Sequence, residues 1–237
     1  MAGTLYVVGT GPGDPELMTL KAARILGRVA CICVPKGREE GSSLALSIIE
    51  KAVSLEGREI VEAVFPMRRS GDAPAGALET AWDATASAIL GRLEGGTDVA
   101  FVTIGDPSFY STFFYLYDRL LDAHPGLQIE IVPGVASISA CASLARLPLG
   151  LGDERIAVLP ASRIADLNGV LAAFDTVVLM KAGSAIGEIV AALNDAGFLG
   201  KAVCVSRAGL DGQRIWTDLA AVKPADLDYF SMVIVKK

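Results

Sequence analysis

An apolar strand at residues 4–9 runs into Gly9-Thr-Gly-Pro-Gly-Asp-Pro15, and an apolar-periodic helix follows. Strand, glycine-rich turn and helix in that order open a parallel α/β sheet, because parallel strands need a crossover. Gly9, Gly11 and Gly13 give the layout of a loop that cradles a dinucleotide phosphate, but its chemistry is wrong for one. The third fingerprint glycine would fall at position 14, which is Asp14. Pro12 has no backbone N–H to offer a phosphate oxygen. Asp14 and Glu16 put negative charge at the helix entrance, where a pyrophosphate would sit. The loop therefore predicts close backbone approach to a small cofactor that is neutral or cationic.

The alternation continues along the 237 residues. Short Val/Ile/Ala-rich runs at 29–34, 59–64 and 98–103 read as buried parallel strands, with helical patterns at about 19–28, 43–55, 76–94 and 111–123 between and after them. His124-Pro125-Gly126 breaks the pattern, and the domain boundary is expected there, giving domains 1–124 and 125–237. The second series predicts strands at 128–132, 155–159, 176–180 and 202–206 and helices near 135–146, 164–174 and 184–196. Asp211-Gly212 reads as a hairpin turn and 230–235 as a final strand, with no helix between them. The second sheet is thus expected to be partly antiparallel. The polar, Gly/Pro-rich segment from Met67 to Ala77 reads as a long loop of the kind that often carries function.

Composition removes several function classes. A net charge of −6 argues against general nucleic-acid binding. No apolar run approaches the ~18–20 residues of a membrane span, and the start of the chain lacks the positive charge of a signal peptide. Cys31, Cys33, Cys141 and Cys204 form no Cys-x-x-Cys pair, and His124 is the one histidine, so no usual zinc ligand set is expected. Cys31 and Cys33, on one strand face, read as small buried apolar residues. Together these features describe a protein of a reducing compartment.

Two further loops carry chemistry. Thr103-Ile-Gly-Asp-Pro-Ser-Phe-Tyr-Ser-Thr-Phe-Phe114 follows the fourth strand, at a carboxyl edge where open α/β sheets bind ligands. Gly105 allows close approach, Asp106 supplies a carboxylate for an ammonium or sulfonium, and Ser111 or Thr112 suits a helix N-cap. Gly-Asp-Pro by itself also suits a plain turn. In Ile131-Val-Pro-Gly-Val-Ala-Ser-Ile-Ser-Ala140 a strand ends at Pro133-Gly134, and small residues open the next helix, where Ala136 and Ser137 leave room for an adenosine group.

With Gly-Thr-Gly-Pro-Gly-Asp-Pro at 9–15, Gly-Asp-Pro at 105–107 and Val-Pro-Gly-Val at 132–135 in this order, the chain resembles the tetrapyrrole methylases over essentially its whole length. Val178-Leu-Met-Lys181 is similar to the family's strand-end methionine motif. The resemblance implies two α/β domains with S-adenosylmethionine in the cleft between them, in a cytoplasmic homodimer. Carried over by position, the cofactor contacts would be Pro12, Ile104, Gly105, Asp106 and Phe109, with Ala136, Ser137, Met180 and Ala208 from the second domain. Ala208 and Lys181 stand where relatives often have glycine. Gly105-Asp-Pro-Ser-Phe-Tyr-Ser-Thr-Phe113 and Leu147-Pro-Leu-Gly-Leu-Gly-Asp-Glu-Arg-Ile-Ala-Val-Leu-Pro160 resemble the branch that methylates C20 of precorrin-2 or cobalt-factor II.

Methyl transfer from a sulfonium is an in-line displacement that needs orientation and a dry site more than a strong acid or base. The acceptor implied is a small-molecule tetrapyrrole bearing many carboxylates. Lys36, Arg68, Arg69 and Arg155 are the candidate cations for it, and each by itself also reads as a solvated surface charge. Any metal would belong to the substrate. Tyr110 and Asp106 are the candidates to remove the meso proton, though no residue pattern selects a base. Three rival readings remain: a family member acting at another ring position, with the loops at 65–78 and 147–160 as discriminators; a nicotinamide-dependent oxidoreductase; and a non-enzymatic ligand-binding regulator. The oxidoreductase needs an acid at the end of the second strand, where the chain reads Val34-Pro35-Lys36-Gly37.

Overall fold

A computed structural model describes residues 2–37, 43–65, 76–163 and 166–237. Two compact units make up the chain, residues 1–136 and 137–237.

The first unit holds β1 (Leu5–Gly9), α1 (Leu20–Leu26), β2 (Cys31–Lys36), α2 (Leu44–Ala52), β3 (Glu59–Val64), α3 (Ala77–Glu94), β4 (Val99–Thr103), α4 (Phe114–Ala123) and β5 (Ile129–Val132). The sheet runs β3-β2-β4-β1-β5, and every pairing in it is parallel. Side chains alternate across it with period two. Leu5, Val7, Cys31, Cys33 and Phe101 face α3 and α4 through Ala86, Ile89, Leu93, Leu116 and Leu120. Val8, Ile32, Val34, Ala100 and Val102 face α1 and α2 through Ala22, Ile25, Leu26, Ala45 and Ile49. The helix after β1 therefore lies on one face of the sheet and the helix after β4 on the other, although β1 and β4 are neighbours. That arrangement defines a topological switch point, with the loops after β1 and β4 on either side of it.

The boundary expected at 124/125 is displaced. β5 pairs in parallel with β1, Leu5 opposite Ile129, so it closes the first sheet rather than opening the second. His124-Pro125-Gly126 is a turn from α4 into that strand, with the Leu127 N–H donating to the His124 carbonyl at 3.0 Å.

The second unit holds α5 (Ser137–Ala145), β6 (Ile156–Pro160), α6 (Leu167–Ala173), β7 (Thr176–Met180), α7 (Ile186–Asp195), β8 (Ala202–Ser206), β9 (Arg214–Trp216) and β10 (Ser231–Lys236). Its sheet runs β6-β7-β10-β8-β9. β6 and β7 are parallel. β10 inserts antiparallel between β7 and β8, and β9 pairs antiparallel with β8. The mixed second sheet matches the sequence expectation. Leu179, Cys204, Val233 and Val235 anchor its core with Leu171, Ile186, Ile189 and Leu193 from α6 and α7.

All four cysteines are buried and unpaired. Burial pushes the Cys31 thiol up to about 11 and those of Cys33, Cys141 and Cys204 up to about 12. They are packing residues, held in the unreactive thiol form. Among the described residues no helix is long and apolar enough to cross a membrane.

Candidate functional site

The loops after β1, β4 and β5 leave the same carboxyl edge of the first sheet and converge on three glycines. A Cβ at Gly9 would stand 2.6 Å from the Gly105 carbonyl oxygen and 2.8 Å from the Gly134 nitrogen. One at Gly134 would stand 2.2 Å from the same oxygen. Backbone occupies the space that side chains would need. Gly105 has φ 77, in the left-handed region that glycine enters without a Cβ clash. This turn lets Gly105 and Gly11 exchange hydrogen bonds, the Gly105 N–H donating at 2.7 Å and the Gly11 N–H at 3.3 Å. Backbone thus joins the two loops directly, and the Thr10 hydroxyl adds a buried bond to the Thr103 carbonyl at 3.1 Å.

The destination of the N–H groups tests which ligand fits. Thr10 donates to the Thr103 carbonyl at 2.9 Å, and Gly11 and Gly105 donate to each other. Gly134 donates to Asp106 Oδ2 at 2.9 Å, and Ser108 to Asp106 Oδ1 at 2.8 Å. Phe109 donates to the Asp106 carbonyl at 3.2 Å. Pro12, buried beside them, has none. These donors are engaged within the chain rather than arrayed as a nest for phosphate. The site fits an adenosyl sulfonium, which needs close backbone and carbonyl oxygens, better than a pyrophosphate.

Asp106 ties the β4 loop to the β5 loop. Partial burial works to raise its pKa. Hydrogen bonds from the Ser108 hydroxyl, the Gly134 N–H and the Ser108 N–H outweigh this, and its carboxyl lies below the usual range. With both oxygens engaged and a lowered pKa, Asp106 is poorly suited to accept a proton. Tyr110 is half-exposed, with φ 55. Its ring meets that of Phe109 edge-on at 5.1 Å. Ile104 and Phe109 are half-buried on the same loop. The helix cap expected from Ser111 or Thr112 shifts: Phe113 takes the N-cap position of α4 without a side-chain bond, and Ser111 Oγ accepts from the Phe113 N–H at 3.2 Å.

Of the candidate cations, Lys36 belongs to the first unit and Arg155 to the second. Lys36, at the carboxyl end of β2, is buried, and its Nζ reaches Glu62 Oε2 at 2.9 Å. Arg155 precedes β6, and its N–H donates to Asp175 just ahead of β7 at 2.9 Å. It stands at the amino edge of the second sheet, roughly 17 Å of strand away from the edge that carries Met180. Arg68 and Arg69 lie outside the described residues, in the connection from β3 to α3.

In the second unit, Met180 ends β7 and Ala208 lies two residues beyond β8. β7 and β8 are both antiparallel to β10, so the two residues share one sheet edge. Ser137 is the first residue of α5 and Ala136 precedes it. The turns after β7 and β8 both open with a cationic residue in the left-handed region, Lys181 at φ 58 and Arg207 at φ 56. Lys181 thus adopts the conformation that a glycine would supply at that place. Sequence reasoning missed Arg207, Asp228 and Gly183, which shape these turns. None belongs to a motif.

The sequence matches the family Tetrapyrrole (Corrin/Porphyrin) Methylases over residues 4–223. It is 37% identical to the cobalt-precorrin-2 C(20)-methyltransferase of Salmonella typhimurium, covering 100% of this chain and 98% of that protein. It is 35% identical to a precorrin-2 C(20)-methyltransferase of Sinorhizobium sp, covering 98% and 95%. Among solved structures, the uroporphyrin-III C-methyl transferase of Thermus thermophilus complexed with S-adenyl homocysteine superposes with a TM-score of 0.66 at 23% identity, covering 99% of this chain and 98% of that one. With the match spanning both units and the glycine junction in place, the chain belongs to the tetrapyrrole methylase family.

Proposed function

We propose that this protein transfers the methyl group of S-adenosylmethionine to C20 of precorrin-2 or of its cobalt form, in the formation of the corrin ring. The observation that carries the cofactor reading is the junction of Gly9, Gly105 and Gly134, where the Gly105 and Gly134 N–H groups are donated within the chain. Such a junction has close backbone to offer a ligand and no phosphate nest. The full-length similarity to two C(20)-methyltransferases supports the ring position.

When bound, the sulfonium supplies an activated methyl group for in-line displacement. The chain's part is to orient and to exclude water. Pro12, Ile104, Gly105, Asp106 and Phe109, with Ala136, Ser137, Met180 and Ala208, are the contacts assigned to the cofactor. Asp106 acts by holding the Gly105 and Gly134 turns together, which leaves Tyr110 as the nearer candidate to take the meso proton. Arg68 and Arg69 are the cations assigned to the acceptor's carboxylates. Lys36 is already paired, and Arg155 lies at the opposite sheet edge from Met180. The reading also makes the protein a cytoplasmic homodimer. Four buried free thiols suit a reducing compartment, and sedimentation tests the dimer.

Incubation with methyl-labelled S-adenosylmethionine and either metal-free or cobalt precorrin-2 tests the reaction, with the labelled carbon located by NMR. Label at C20 is expected, and the two acceptors show which ring form is preferred. Label at another ring carbon would move the protein to a different branch of the family. Calorimetry should show micromolar-range binding of S-adenosylhomocysteine and none of NAD. The reverse pattern would favour an oxidoreductase.

A further inference from the structure

The two turns of the second unit that carry Met180 and Ala208 are held by one short segment, Asp228–Phe230, which belongs to neither. We infer that Asp228 is a positioning residue for cofactor binding: it clasps both turns at once. The inference rests on the reading that Met180 and Ala208 contact S-adenosylmethionine.

On the β8 side, the Arg207 N–H donates to the Phe230 carbonyl at 3.0 Å, extending the β8–β10 ladder past its last strand pair. Arg207 Nη1 donates to Asp228 Oδ2 at 2.7 Å. Its Nε donates to the Asp211 carbonyl at 2.7 Å. One guanidinium thus closes the 208–211 turn and anchors it to Asp228. Ala208 sits buried inside that closure.

On the β7 side, the contact is steric. A Cβ on Gly183 would stand 2.4 Å from the Asp228 carbonyl oxygen, so the turn after Met180 rests directly on the Asp228 backbone. Lys181 Nζ lies 5.2 Å from the centre of the neighbouring Tyr229 ring. Asp228 is itself fixed. Its Oδ1 accepts from the Phe230 N–H at 2.8 Å. Its N–H donates to Ser231 Oγ at 3.1 Å, and Ser231 Oγ lies 3.0 Å from Ser206 Oγ in a buried pair.

Left-handed backbone at non-glycine residues persists only where its surroundings over-determine it. Lys181 and Arg207 are two such residues, at the entrances of two neighbouring turns, and Asp228–Phe230 contacts both. Releasing the Asp228–Arg207 link should let both turns relax, moving Met180 and Ala208 without unfolding the sheet.

The test uses Asp228→Asn, Arg207→Gln and the double variant. Asp228→Asn keeps an oxygen for the Phe230 N–H and loses the charged partner of Arg207. The control is Asp226→Asn, which breaks the Arg214–Asp226 pair at 2.8 Å two residues away. Calorimetry with S-adenosylhomocysteine is the readout, alongside thermal unfolding. Each single variant should bind about tenfold more weakly at full stoichiometry, and the double variant no more weakly than either single, because the pair acts as one unit. The KM for S-adenosylmethionine should rise while kcat at saturation stays within about threefold. Asp226→Asn should bind as wild type does. Wild-type affinity in both single variants would overturn the clasp and leave the cofactor reading standing. So would multiplicative losses in the double variant, or an equal loss in Asp226→Asn. No binding by the unaltered chain would overturn the cofactor reading and the clasp with it.

Discussion

A Cβ at Gly134 meets the Gly105 carbonyl oxygen at 2.2 Å, and carbonyl and turn are both backbone, so neither moves cheaply. Gly134→Ala should therefore destabilise the first unit by about 3 kcal/mol, the upper end of overpacking costs, and abolish S-adenosylhomocysteine binding. Gly105→Val should do the same by another route, since a β-branched residue is a poor occupant of φ 77. Retained affinity in either variant would make the junction an ordinary turn. Asp106 yields a pH prediction. Its folded-state pKa lies below its ordinary value, so its stabilisation is present above the unfolded pKa of about 3.9 and is lost as pH falls through the folded value. Asp106→Asn keeps one acceptor oxygen where two served Gly134 and Ser108, leaving one of those donors unpaired at a cost of about 1 kcal/mol. Urea unfolding from pH 7 to pH 3 should show a constant gap between wild type and variant down to about pH 5, then a narrowing one. A gap that widens in acid would contradict the tether. The glycines themselves were legible, because each stands in a loop after an apolar run. Their convergence was not: Asp106 and Gly134 are 28 residues apart, and nothing local records that a carboxylate spans them.

At the scale of elements, α5 ends on an irregularity that makes its own test. Arg146 follows the helix at φ 55, the Arg146 N–H donates to the Ser143 carbonyl at 3.1 Å, and the Leu147 N–H donates to the Ala142 carbonyl at 2.9 Å. This is a Schellman cap with arginine where glycine is usual. Relief of the left-handed strain, about 1–2 kcal/mol, should exceed the extra chain entropy of glycine, about 0.5–1 kcal/mol. Arg146→Gly should raise the unfolding temperature by about 1–4 °C, and a fall would mean that the side chain stabilises the fold. Buried strands such as β4 and β7 were readable because both faces are apolar, and helices because their apolar period persists. β5 was assigned to the wrong unit for a physical reason. It is short and only partly buried, and a His-Pro-Gly turn looks the same whether it links domains or joins a helix to its own sheet. Strand order was not legible either, since β4 returns between β1 and β2 by a crossover that no local pattern encodes. The Asp228 segment left no signal beyond Gly183, one glycine with no motif around it.

For the whole molecule, the decisive quantity is the sign of the field that the acceptor meets. The chain carries −6, and a tetrapyrrole with many carboxylates is also negative, so at long range the two repel. Productive encounter then requires a local patch of opposite sign, effective within a Debye length of about 8 Å at 0.15 M salt. Of the four cations considered for the acceptor, Lys36 is neutralised by Glu62 and Arg155 is at the amino edge with Asp175, so the proposal assigns the patch to Arg68 and Arg69. Salt should act oppositely on the two terms. Screening a local attraction weakens acceptor binding, whereas screening the global repulsion strengthens it. In wild type the acceptor KM should therefore rise with ionic strength. With Arg68→Ala and Arg69→Ala combined, the attraction is gone and the repulsion remains. KM at low salt should be several-fold higher and should stay flat or fall as salt is added. S-adenosylhomocysteine affinity should be unchanged in the same protein, because neither arginine is among the contacts proposed for the cofactor. The slope of KM against ionic strength, measured between about 20 and 300 mM salt with both proteins, separates the cases. A wild-type slope retained by the double variant would show that other residues supply the positive field.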